Sequence, residues 1–243
     1  MAVAAANMMR RPVRASLLAL GLGLGGLGVM TLPMPVHALN LSALTQTDAT
    51  AGVKAALQKG AETAVASLGK ADGFLGNPEV KIPLPSSMQK ARKLMKLMGR
   101  DKEFDALETG INRAAEAAVP EAKTLLAQSI KSMSVQDAKG ILSGGDDSVT
   151  TFFRDKTQSE MFKKFLPIVS QYTSKLGLAR QYNALAGQAS KLGVLKSEDA
   201  NIENYVTNKA MDGLYKMIAT EEKAIRADPV GTGSAILKKV FAN

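Results

Sequence analysis

The sequence predicts an all-α fold, an irregular multi-helix bundle of about eight helices with one Gly/Pro-rich excursion loop. Three observations carry this. Apolar residues recur at three- and four-residue spacing along most of the chain. Cap and stop residues stand where such helices would begin and end. No run of alternating β-branched residues marks a strand. With 46% hydrophobic and 22% charged residues the composition is that of a globular protein, and its supply of Ala, Leu and Met suits close helix packing.

The elements follow in order. The stretch from Ser86 to Lys102 sets Met88, Ala91, Leu94, Met95 and Met98 along one stripe, flanked by Lys90, Arg92, Lys93, Lys96, Arg100 and Lys102, which reads as a basic amphipathic helix. From Asp101 to Met133 the apolar positions Phe104, Leu107, Ile111, Ala114, Ala118, Ala122, Leu125, Leu126, Ile130 and Met133 track one face, and Pro120 kinks the stretch or starts a second helix. Ser134-Val135-Gln136-Asp137 matches a capping box, predicting a short helix from Val135 to about Leu142. Ser143-Gly144-Gly145 ends it. Asp146 or Asp147 then caps a longer helix through Phe152, Phe153, Met161, Phe162 and Phe165, perturbed at Pro167. Further helices are expected from about Leu178 to Leu192, from Asn201 to Ala227 and from Ser234 to Phe241, the first two closed by Lys191-Leu192-Gly193 and Asp228-Pro229. The excursion spans Asp72-Gly73-Phe74-Leu75-Gly76-Asn77-Pro78 and Glu79-Val80-Lys81-Ile82-Pro83-Leu84-Pro85, and its apolar residues predict that it packs down.

Residues 1–38 read as a signal peptide and residues 39–243 as a single helical domain. Arg10, Arg11 and Arg14 form a basic start with no acid, Leu17 to Leu32 is uncharged and rich in Leu and Gly, and Val36-His37-Ala38 offers small residues to a signal peptidase. Cleavage is placed after Ala38, by the general or the twin-arginine route, and the exported protein is expected in the periplasm with no transmembrane anchor. Its 205 residues would carry 28 basic and 22 acidic side chains, a net charge of +6. The chain has no Cys or Trp, and its one histidine, His37, leaves with the leader. Thiolate and histidine chemistry are thereby excluded, and with them the usual zinc sites and Ser-His-Asp triads. No catalytic residue, metal or cofactor is expected, and the modest, dispersed basic excess argues against nucleic acid as a partner.

Four features stand out as candidate sites. Asp146 and Asp147 at the glycine turn could ligate a hard cation or act as an acid/base pair, against the plainer expectation that one caps the following helix and the other complements its dipole. Asp72 and Asn77 could line a pocket, or simply bond their own backbone while Gly73 and Gly76 supply unusual dihedrals. Lys90, Arg92, Lys93, Lys96 and Arg100 could grip an anionic membrane or an acidic partner, or could lie on a core-facing helix with lysines reaching into water. All four tyrosines fall between Tyr172 and Tyr215 and could form a polar pocket, buried and satisfied hydroxyls being the commoner explanation.

Several strings together resemble a known family. They are Ala66-Ser67-Leu68-Gly69-Lys70-Ala71-Asp72-Gly73-Phe74-Leu75-Gly76-Asn77-Pro78, Ile82-Pro83-Leu84-Pro85, Asn112-Arg113-Ala114-Ala115-Glu116-Ala117, Gly140-Ile141-Leu142-Ser143-Gly144-Gly145-Asp146-Asp147 and Lys209-Ala210-Met211-Asp212-Gly213-Leu214. The chain, from about Leu41 to Phe241, is similar to domain-of-unknown-function family 4197. The resemblance implies a helical envelope protein of a Gram-negative-type bacterium and brings no activity, ligand or catalytic residue.

Elimination therefore favours binding over catalysis. The expectation is a soluble periplasmic helical protein that binds an envelope component, whether an anionic lipid, a polymer or another envelope protein. The alternatives are a carboxylate-based hydrolase of cell-envelope glycan, which needs neither His nor Cys, and a self-associating structural protein.

Overall fold

The computed structural model describes residues 46–97, 99–191 and 201–228. The leader, Met98, the stop at 192–193 and the helix expected over 234–241 lie outside the described residues. Within them the chain is all-α, with eight α-helices and one 3₁₀ turn. They are α1 (Gln46–Leu68), α2 (Ser86–Lys96), α3 (Asp101–Ala118), α4 (Ala122–Lys131), α5 (Val135–Ser143), α6 (Ser148–Lys175), α7 (Leu178–Lys191) and α8 (Ile202–Ala227), with the 3₁₀ turn (Val119–Glu121) between α3 and α4.

The two long helices α6 and α8 pack on each other; α8 also lies against α1 and α3, α6 against α3 and α4, and α1 on α4 and α5. The core carries the expected stripe: Phe104, Leu107, Ile111, Ala114, Ala118, Ala122, Leu126, Ile130 and Met133 are buried, and Leu125 is partly buried against them. Phe153, Met161, Phe165 and Val169 of α6 meet it, none with measurable exposure, and each such large apolar side chain contributes about 1.5–3 kcal/mol by leaving water. Pro120 sits in the 3₁₀ turn, where its missing N–H costs little, and converts one apolar face into two consecutive helices. Pro167, by contrast, does not end α6, which runs on to Lys175. That proline is exposed, so the carbonyl it leaves without a donor can be hydrated.

The capping box at Ser134 is present in full. Ser134 Oγ accepts from the Asp137 amide at 3.0 Å, and Asp137 Oδ2 accepts from the Ser134 amide at 2.9 Å. The Ser134 hydroxyl also donates to Asp137 Oδ2 at 2.7 Å, and this bond, with the one from the amide, holds the Asp137 carboxyl below its ordinary pKa. A carboxyl depressed in the folded state stabilises the fold above the unfolded pKa, and that stability is lost as pH falls through the folded value. Ser134→Ala is expected to cost about 1 kcal/mol in urea unfolding at neutral pH. The difference from the unsubstituted protein should shrink in acid, below the ordinary Asp range, where the carboxylate arm of the box is protonated.

Candidate functional site

The excursion between α1 and α2 packs down, and α3 and α8 hold it there. Asn112, fully buried on α3, treats Ile82 as a strand partner would: its Oδ1 accepts from the Ile82 amide at 2.8 Å and its Nδ2 donates to the Ile82 carbonyl at 2.9 Å. One turn on, Glu116 is 4% exposed, and its Oε1 accepts from the amides of Phe74 and Leu75, each at 3.1 Å. Arg113 bridges outward, donating to Glu116 at 2.7 Å and to Asp72 at 2.7 Å. The Glu116 carboxylate first, then that of Asp72, raises the Arg113 pKa above its ordinary value. From α8, the Tyr205 hydroxyl donates to the Pro83 carbonyl at 2.8 Å, and Lys216 donates to the Glu79 carbonyl at 2.7 Å. Phe74 is the anchor, with no exposure, and it reaches α8 because position 213 is glycine: a Cβ there would stand 2.6 Å from the ring.

This corrects two sequence expectations. The unusual dihedral belongs to Asp72, at φ +63, while neither Gly73 nor Gly76 has a positive φ. Gly73 is required by proximity, since a Cβ there would lie 2.4 Å from the Leu68 carbonyl oxygen, and Gly76 closes a similar contact with Asp72. Asp72 uses its side chain on Arg113 rather than on its own backbone. Asn77 behaves as expected, its Oδ1 accepting from the Glu79 amide at 3.0 Å.

A second polar node joins α5, α6 and α8. Asp147 occupies the N-cap position of α6 but makes no side-chain cap bond, and both Asp146 and Asp147 are exposed. The cap comes from α8 instead. Glu222, its side chain 2% exposed, accepts from the amides of Val149 at 3.2 Å and Thr150 at 3.4 Å. Arg226 pairs with Glu222 at 3.0 Å and donates to the Ile141 carbonyl near the end of α5 at 2.9 Å. A carboxylate thus faces the positive end of one helix and a guanidinium the negative end of another. The expected capping role of the two aspartates fails because a carboxylate from a distant helix already occupies the amides. Beside this node, an apolar crevice between α1 and α8 holds only ≈ 20 Å³, room for about one water.

The tyrosines do not assemble a pocket. Tyr215 is buried against α6 with its hydroxyl 3.0 Å from that of Thr157, and burial pushes its pKa up. Tyr182 is buried, Tyr205 is bound to Pro83, and Tyr172 is exposed.

The basic stretch divides in two. Met88, Ala91 and Met95 of α2 are buried. Arg92 is spent on α3, pairing with Asp105 and, at 2.9 Å, with Glu108; Arg100 forms a forked pair with Glu103 at 2.8 Å. Lys90, Lys93 and Lys96 are exposed and have no ion-pair partner among the described residues. Leu94 is not part of the buried stripe: it is 42% exposed, and Leu97, in the turn that follows, is 87% exposed. Positions 90, 93, 94 and 97 fall at i, i+3, i+4 and i+7, so lysines and leucines share one outward face. Gly99, at φ +71, turns the chain back into α3.

Of the polar residues in the two nodes, sequence reasoning singles out Asp72; Asn112, Arg113 and Glu116 stand in a family-like string, and Glu222 and Arg226 in none. Arg113/Glu116 and Glu222/Arg226 stand at i, i+3 and i, i+4, the spacing of ordinary surface pairs. Nothing in that spacing says that a helix terminus or a folded-back loop will bury the carboxylate.

Among the described residues the fold is an all-α bundle braced by two polar nodes, and the outer side of α2 presents unpaired lysines beside exposed leucines. No helix among the described residues is long and apolar enough to cross a membrane, and no group of three or more acidic or histidine side chains among them could hold a metal ion. The chain belongs to the family described as "Protein of unknown function (DUF4197)", whose model matches residues 43–242. No curated protein and no solved structure matches it.

Proposed function

We propose that this protein is exported to the periplasm, is not an enzyme, and binds an anionic envelope surface through the outer face of α2. The observation that carries this reading is the pairing of Lys90, Lys93 and Lys96, free of carboxylate partners among the described residues, with the exposed Leu94 and Leu97. Leucines at the surface between lysines suit a shallow seat at a headgroup boundary, where each basic residue is worth about 1 kcal/mol. The expected net charge of +6 after cleavage adds a weaker, longer-range attraction. Arg92 makes its contribution indirectly, by fixing α2 on α3 so that this face stays outward.

The positions of the carboxylates in the two polar nodes support binding over glycan hydrolysis there. Hydrolysis by a carboxyl pair needs both groups facing an open cleft. Glu116 and Glu222 are instead committed to backbone amides and arginines, and Asp72 to Arg113.

Co-sedimentation tests the proposal, using protein purified after export, whose mass should correspond to a chain beginning at Leu39. It is expected to pellet with phosphatidylglycerol vesicles at low salt and to be released at high salt. The variant Lys90→Glu/Lys93→Glu/Lys96→Glu should lose most of that binding while melting as the parent does. Equal binding by the variant would sink the assignment to α2.

A further inference from the structure

Where α2 turns into α3, a groove of ≈ 420 Å³ opens between the start of α3 and α7, a volume in the range of small-ligand sites, roughly 300–1,000 Å³. Lys102 and Ala106 on α3 stand at i, i+4, and Gln181, Ala184 and Leu185 on α7 at i, i+3, i+4, so two helix faces look at each other across it. Its exposed lining is mainly apolar, with Ala106 and Ala184 as small walls and buried Leu185 as the floor. The rim is basic. Arg100 is engaged by Glu103, while Lys102 is exposed and has no ion-pair partner among the described residues.

We infer that this groove takes one acyl chain of an anionic phospholipid, seated between Ala106 and Ala184, with the lipid's phosphate at Lys102. The inference rests on the reading that the protein works against an anionic envelope surface, and it names a component of that surface as the groove's ligand. The chemistry is that of an amphiphile: an apolar slot between small side chains, with an unpaired cation at its rim. A zwitterionic lipid would fill the slot but gain less at the rim, because its own cation competes with Lys102 for the phosphate.

The test uses a lipid that can enter the groove without a bilayer. Dihexanoyl phosphatidylglycerol, kept monomeric, is titrated into the exported protein and followed by amide NMR shifts, with dihexanoyl phosphatidylcholine as the comparison. Saturable shifts are expected at residues 100–106 and 181–185, stronger for the anionic lipid. Ala106→Trp and Ala184→Trp fill the slot from opposite walls at exposed positions. Each should weaken binding about tenfold or more without lowering the melting temperature, and Lys102→Glu should abolish the preference for the anionic lipid. No saturable binding, or unchanged affinity in both tryptophan variants, overturns the groove. Vesicle binding without binding of the monomeric lipid also overturns the groove and leaves the α2 surface standing. Groove binding without vesicle binding supports the groove and removes the α2 surface.

Discussion

Glu222→Ala is expected to lower stability by about 3–5 kcal/mol, the largest loss from a single polar side chain here, because it leaves buried partners without their counter-charge. The carboxylate does three things at once: it caps the amides of Val149 and Thr150, pairs with Arg226, and so ties α8 to the start of α6. Arg226, one-fifth exposed, would keep its bond to the Ile141 carbonyl but lose its anion. For a chain of this size each kcal/mol moves the melting temperature by about 2–4 °C, so a fall of about 10 °C is expected in a thermal scan. Glu222→Gln keeps an acceptor for the amides and gives up only the charge, so its loss should be clearly smaller. Asp147→Ala should change stability little, since its side chain makes no cap bond. If Asp147→Ala proved as costly as Glu222→Ala, the long-range cap would be wrong.

Glu116→Ala should act more locally. It strips the acceptor from the amides of Phe74 and Leu75, and an orphaned buried donor costs about 1–3 kcal/mol. It also leaves Arg113 with Asp72 alone. A total of about 3 kcal/mol is expected, concentrated in the turn at 70–78. Hydrogen exchange should show faster exchange at Phe74 and Leu75 before any change in α6 and α8. The Asn112 contacts to Ile82 lie on the same helix face and should hold the second half of the excursion in place. Uniform acceleration across the whole chain would contradict a local latch.

How much of this was legible beforehand depends on the range of the interaction. The short-range features were readable: the Ser134 capping box, the break at Pro120, and the apolar face from Phe104 to Met133 are all written within one or two helical turns. The packed-down excursion was readable from Phe74, Ile82 and Leu84. The residues that clamp it were not, because Glu116 lies 42 positions from Phe74, and Glu222 lies 73 from Val149. Local propensity chose Asp147 as the cap, and tertiary packing supplied another carboxylate. The basic helix was half legible. Its lysines and its buried methionines follow the expected pattern, but only the packed structure shows that Arg92 and Arg100 are spent on α3 and that Leu94 faces outward.

The central claim is that the outer face of α2 meets the anionic surface, and a fluorophore placed on that face tests it most directly. The chain has no cysteine, so Leu97→Cys and, as a comparison on α5, Val135→Cys each accept a single environment-sensitive label; both positions are exposed. With phosphatidylglycerol vesicles at low salt, the label at position 97 should shift to the blue and become shielded from an aqueous quencher, while the label at position 135 stays as it is in buffer. Equal responses at the two positions, or none at position 97 under conditions where the protein pellets with the vesicles, would contradict it.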